Sequence, residues 1–93
     1  DYISLMLGNK TICYFHFQKT KIRMDFVRGN IKTDGSKSKN FFSLDDPKEM
    51  SIEGSWEWKD GTKGNVYKVS LDKNFDVDYV KFLIKQKYNS LSN

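Results

Sequence analysis

The chain is 93 residues long, 38% hydrophobic and 15% aromatic, which leaves room for one domain with one core and excludes an intrinsically disordered chain. Sixteen basic residues against twelve acidic ones give a net charge of +4, and Cys13 is the only cysteine, which excludes an intrachain disulfide framework and a thiolate zinc cluster. No run approaches the roughly 18–20 apolar residues of a spanning helix, and the first residues lack a signal-peptide pattern, so the expected compartment is the cytoplasm.

The positive charge is uneven. Residues 1–43 hold eight Lys or Arg and three Asp, whereas residues 44–93 hold eight Lys and nine acids. Such a front half can attract phosphate or an acidic partner, although +4 on a lysine-rich surface also serves solubility. The chain starts without Met, inside an apparent strand, which predicts a single domain at the C-terminal end of a longer protein. Fourteen Lys against two Arg and no alanine suggest an AT-rich coding genome.

Residues Tyr2 to Leu7 alternate with the period of two of a strand, Ile3, Leu5 and Leu7 on one face and Tyr2, Ser4 and Met6 on the other. Gly8-Asn9 reads as a hairpin turn. Thr11 to Gln18 sets Cys13, Phe15 and Phe17 against Ile12, Tyr14 and His16, and two half-apolar faces predict an interior strand. After a turn at Lys19-Thr20, Lys21 to Arg28 puts Ile22, Met24 and Phe26 inward and Lys21, Arg23 and Asp25 outward.

A polar stretch from Gly29 through Asn40 has turn formers and no periodicity, which predicts a mobile loop or a frayed strand end. Phe41, Phe42 and Leu44 return to the core, and Asp45-Asp46-Pro47 followed by Lys48-Glu49-Met50 predicts a capped short helical turn. Ser55 to Lys59 and Asn65 to Leu71 are two further strands, the second with Tyr67, Val69 and Leu71 opposite Val66, Lys68 and Ser70. The last element opens around Asn74 or Asp76 and runs to about Ser90. Val77, Val80, Leu83, Ile84, Tyr88 and Leu91 form its apolar stripe, opposite Asp78, Lys81, Lys85 and Asn89. Phe82 falls among the charged positions and is a candidate docking residue. The predicted fold is therefore α+β, an antiparallel sheet of about five strands with one C-terminal amphipathic helix packed on it.

Few constellations carry chemistry. Glu57-Trp58-Lys59 is an E-x-K on a predicted strand, as metal-dependent nucleases use, but it needs a third carboxylate from Asp25, Asp45 or Asp46; the alternative is a solvated strand face with Trp56 and Trp58 turned inward. His16, the only histidine, has no visible nucleophile to serve as a base for, and Cys13 reads as a small buried hydrophobe. Gly54, Gly61 and Gly64 precede no helix that could offer amides to a phosphate. The best surface is electrostatic. Lys21 and Arg23 share an outward strand face with Lys19 at its turn, Arg28, Lys32, Lys37 and Lys39 follow, and Tyr14 and His16 lie on the neighbouring strand. Cations beside stackable rings are how sheet modules hold single-stranded nucleic acid.

Several signals together resemble a known family: Tyr2-Ile3 with the Gly8-Asn9 turn, the paired apolar segments from Phe15 to Phe26, Leu44-Asp45-Asp46-Pro47, the series Trp58, Gly61, Gly64 and Tyr67, and Asp78-Tyr79 to Leu83-Ile84-Lys85-Gln86 with Tyr88. The family consists of uncharacterised bacterial and archaeal domains catalogued as "predicted transport protein". The resemblance spans nearly the whole chain. It implies a C-terminal domain behind nuclease-like or restriction-associated segments and brings no catalytic residues. The chain departs from the pattern in a longer loop between Trp58 and Gly64 and in a Ser- and Lys-rich insert near residues 34–40. The expected function is an accessory binding module for nucleic acid or a neighbouring domain, needing no cofactor, metal or membrane; a degenerate metal nuclease and a structural or oligomerising domain are the alternatives.

Overall fold

The computed structural model describes residues 2–39 and 41–92; Asp1, Asn93 and Asn40, the end of the predicted polar stretch, lie outside them. The elements are β1 (Tyr2–Leu7), β2 (Lys10–Phe17), β3 (Ile22–Ile31), β4 (Ser51–Glu57), β5 (Lys63–Leu71) and α1 (Val77–Ser92). All strand pairs are antiparallel, in the spatial order β1-β2-β3-β5-β4. The chain thus adopts the expected α+β arrangement of five strands and one C-terminal helix, with β2 inside the sheet. Gly8, at φ 62°, takes the first central position of the β1-β2 turn, where two-residue hairpins of the II′ kind need glycine.

Two register shifts depart from plain alternation. Leu5 pairs with Cys13 and Met6 with Thr11, leaving Ile12 without a partner on β1. Ile12 and Cys13, expected on opposite faces, consequently both enter the buried cluster. On β3, Val27 pairs with Val66 and Gly29 with Asn65, so Arg28 is the unpaired residue. Gly29 sits there at φ 143°, a conformation that a bulge uses and a side chain resists. Beyond it the polar stretch folds back instead of fraying: Ile31 bridges to Lys37, and Ser38 N–H donates to the Asn30 carbonyl at 2.8 Å.

One side of the sheet carries the core. Phe26, Met24, Val69 and Cys13 are fully buried beneath Leu83 of α1. Asp76 caps the helix, its Oδ1 accepting from Asp78 N–H at 3.0 Å and Tyr79 N–H at 3.2 Å, which satisfies amides that a helix start leaves open. The buried stripe is Tyr79, Val80, Leu83 and Lys87, so the predicted stripe is corrected. Val77 and Tyr88 are 52% and 43% exposed. Phe82, also partly exposed, packs against Tyr79 with ring centroids 5.7 Å apart.

Beside α1, residues 41–50 cross the same face, with Phe42 against Phe26 and edge-on to Tyr67. The expected helical turn at Pro47 is a single β-turn, closed by Glu49 N–H on the Asp46 carbonyl at 2.9 Å. Glu49 leaves it at φ 52°, which ends any helical continuation. A helix is about 10–12 Å across, whereas five strands spaced about 4.8 Å apart span roughly 19 Å. Helix and crossing segment together still leave most of β1 uncovered, although Leu7 packs against the core. Ile3 is 58% exposed and Phe17 51%.

Candidate functional site

Among the described residues no element lies over the other face of the sheet, and alternation along β2, β3 and β5 sends Tyr14, His16, Arg23, Asp25, Val66 and Lys68 to it. Asp25, expected to be solvated, is buried among them at 8% exposure. His16 Nε2 lies 3.0 Å from Asp25 Oδ2, and Arg23 makes a fork on the same carboxylate, Nε to Oδ1 at 2.9 Å and Nη2 to Oδ2 at 3.1 Å. One buried anion therefore holds two cationic or ionisable groups in fixed positions. Tyr2 of β1 closes one side, edge-on to Tyr14 at 5.5 Å and tilted over His16 at 5.7 Å.

The opposite side is built by Trp56. Trp56 is paired in register with Gly64, and a side chain at Gly64 would collide with its indole. The glycine is thus a seat inside β5, not loop punctuation. Trp56 and Trp58, expected inward, are 39% and 42% exposed and meet edge-on with centroids 5.5 Å apart. Between Tyr2 and Trp56 lies an open concavity of about 420 Å³, lined by Tyr14, His16, Arg23, Asp25, Val66 and Lys68. Lys68 lies across Gly54, where its Cε would stand 2.8 Å from an added Cβ, and it has no ion pair among the described residues.

The predicted basic stripe is only partly assembled. Lys19 and Lys21 are exposed just before β3 and do not line the concavity; Lys21 borders a separate hollow with Ile22, Leu71 and Phe75. Lys32 is exposed beyond the far end of β3, and ten strand residues separate the two groups by roughly 30 Å. Arg28 is not on this face, because it follows Met24 and Phe26 on the even-numbered side of β3, toward the helix. There its Nε donates to the Phe42 carbonyl at 2.8 Å, its Nη1 pairs with Glu53, and its guanidinium stands 4.7 Å from the Phe41 centroid and 4.6 Å from that of Tyr67. It is a packing cation, not a free one.

Lys87, unremarked in the sequence, is a second. It is 7% exposed, donates to the Val27 carbonyl at 2.7 Å beside the β3 bulge and lies over the Phe42 ring. Burial pushes its ammonium below the usual 10.5. Cys13 is fully buried, and burial with the nearby Asp25 charge pushes its thiol up to about 12, which makes it inert at neutral pH.

The nuclease elements are not brought together. Lys59 lies in the turn beyond β4, and β5 separates Glu57 from β3. Asp46 is occupied structurally, accepting from Ser51 N–H at 2.7 Å, Ser51 Oγ at 2.8 Å and the Tyr79 hydroxyl. Asp45 accepts through its backbone from Gln86 at 2.8 Å. Among the described residues no three His, Cys, Asp or Glu side chains lie close enough to share a metal ion, and no helix is long and apolar enough to cross a membrane.

No protein-family model, curated protein or solved structure matches this chain. The geometry of the uncovered face is therefore the whole basis for a functional reading. That face offers two aromatic walls, a floor with one buried carboxylate, and cations held at known positions. It can stack planar rings and neutralise phosphates.

Proposed function

We propose that the domain is a non-catalytic binding module that holds a short stretch of single-stranded nucleic acid on the uncovered face of its sheet. The observation that carries this reading is the placement of Tyr2, Tyr14 and Trp56 around Arg23 and Lys68 across one open concavity of about 420 Å³. Stacking of a base on an aromatic ring contributes about 1–3 kcal/mol and tolerates any sequence, and the cations beside the rings are in reach of the intervening phosphates. A duplex keeps its bases stacked internally and presents no ring to these walls. Because Asp25 neutralises part of the local charge, stacking contributes more here than in a purely basic groove.

Titrating the protein into a fluorescently labelled single-stranded oligonucleotide and following anisotropy over a salt series tests the reading. Two phosphate contacts, from Arg23 and Lys68, give a log-log salt slope of roughly −1.4 on a single strand. Trp56→Leu and Tyr14→Ala should each weaken binding by about tenfold or more, while Lys81→Ala on the outer side of α1 should leave it unchanged. Absence of binding at low salt, or equal affinity for duplex and single strand, sinks the proposal.

A further inference from the structure

The two edges of the sheet are unlike. β4 ends it with two carboxylates, Glu53 and Glu57, and with Gly54, the kind of guard that discourages a further strand. β1 ends it with Tyr-Ile-Ser-Leu-Met-Leu, six residues without a charge, proline or glycine, and among the described residues it pairs only with β2. Its outer N–H and C=O groups are a row of unused ladder positions.

The apolar surface around β1 continues onto both layers. Ile3 is 58% exposed, Leu5 37% and Phe17 51% on the helix side of the sheet, and Tyr2 and Met6 are 61% and 45% exposed on the other. Tyr79 and Gln86 point from α1 to the crossing segment. At 100° per residue, Val77, Ile84 and Tyr88 lie on the opposite flank of the helix, toward the β1-β2 half of the sheet, where Lys10 Nζ reaches the Leu91 carbonyl at 3.2 Å. The helix is too narrow to hide this flank and β1 together.

We infer that β1 is a homotypic interface, on which a second copy of the chain pairs its own β1 antiparallel across a two-fold axis to make a continuous ten-stranded sheet. Three observations select this occupant. An uncharged strand can lie beside its own copy without opposing like charges, whereas a strand that selected a charged partner would carry the complementary charge. Head-to-tail pairing of β1 with β4 would set apolar residues against Glu53 and Glu57, so the isologous arrangement is the one that closes. Finally, Tyr2, Ile3, Leu5, Met6, Phe17, Val77 and Tyr88 each leave on the order of 100 Å² uncovered, which together approaches the ~800 Å² per partner of a standard interface. The inference does not depend on what the uncovered face binds.

Sedimentation equilibrium of the whole chain over a range of concentrations tests it. The wild type should dimerise with a Kd on the order of 10 μM. Ile3→Lys places like charges across the axis and should sediment as a monomer with an unchanged melting temperature, because the site is more than half exposed. Ile3→Glu should do the same. An equal mixture of the two variants should recover the dimer. A wild type that stays monomeric, an Ile3→Lys variant that dimerises as tightly as wild type, a mixture that stays monomeric, or open-ended growth instead of a dimer overturns it.

Discussion

The two faces of the sheet use the same kinds of residue for different ends. On the covered face Arg28 and Lys87 stand against Phe41, Phe42 and Tyr67 and donate to main-chain carbonyls of Phe42 and Val27. On the uncovered face Arg23 and Lys68 line the open concavity with Tyr14 and Trp56, and no element of the described residues lies above them. A cation beside an aromatic ring is therefore no functional signal by itself. What separates the two sets is whether a second layer of chain has taken up the cation's hydrogen bonds.

The largest expected difference is in stability. Arg28→Ala orphans the Phe42 carbonyl and removes two ring contacts, and by typical costs for such losses it should destabilise the fold by about 2–4 kcal/mol in urea unfolding. Arg23→Ala leaves Asp25 with His16 and some access to water, and about 1 kcal/mol is expected. If the two variants prove equally damaging, the distinction between the faces fails.

Acid sharpens the comparison further. Burial raises the Asp46 carboxyl, but hydrogen bonds from the Tyr79 hydroxyl and from Ser51 outweigh it and hold the group below 3.8. A carboxyl depressed in the folded state gives stability that is fully present above its unfolded pKa and is lost as pH falls through the folded one. The covered face should thus lose stability below about pH 4. Asp46→Asn should cost roughly 1–2 kcal/mol at neutral pH and flatten that acid limb. In alkali the Tyr79 hydroxyl, raised by burial and by Asp46, loses its contribution as pH rises through its folded pKa, while Lys87 gains one as pH rises through its own toward 10.5.

The smallest expected effect on stability is on the uncovered face. Tyr14→Ala should change the unfolding free energy by less than ~1 kcal/mol, although it should weaken oligonucleotide binding about tenfold. A large stability loss without a binding loss would make Tyr14 a packing residue, and the two faces would then differ only in solvent exposure.

Much of this plan is legible along the chain because period two and the helix cap are local properties. The alternation of β3 places Arg23 and Asp25 opposite Met24 and Phe26, β2 places Tyr14 and His16 together, and Asp76 marks the start of α1. Most departures have non-local causes. Arg28 is the exception, since alternation itself sets it beside Met24 and Phe26 and only its nearness in sequence joins it to the outward cations, whereas Lys87 has no apparent role because the β3 bulge leaves the Val27 carbonyl beside it. Trp56 was turned inward because large apolar side chains favour the core, but the seat that holds it outward is Gly64 on another strand. Lys68 joins His16 and Arg23 only through the β3-β5 pairing, in which it faces Asp25. Sequence adjacency says nothing of that neighbour.

Cys13 gives the molecule an internal clock. Its thiol is the chain's only one, has no exposed surface and is pushed up to about 12, so a thiol-reactive reagent at neutral pH meets it only when the sheet between β1 and β3 opens. The rate of labelling then counts cooperative openings of the core. Neither the ring-lined concavity nor the β1 edge needs to carry a probe, so ligand or a second copy can be added and its effect read as slower ticking.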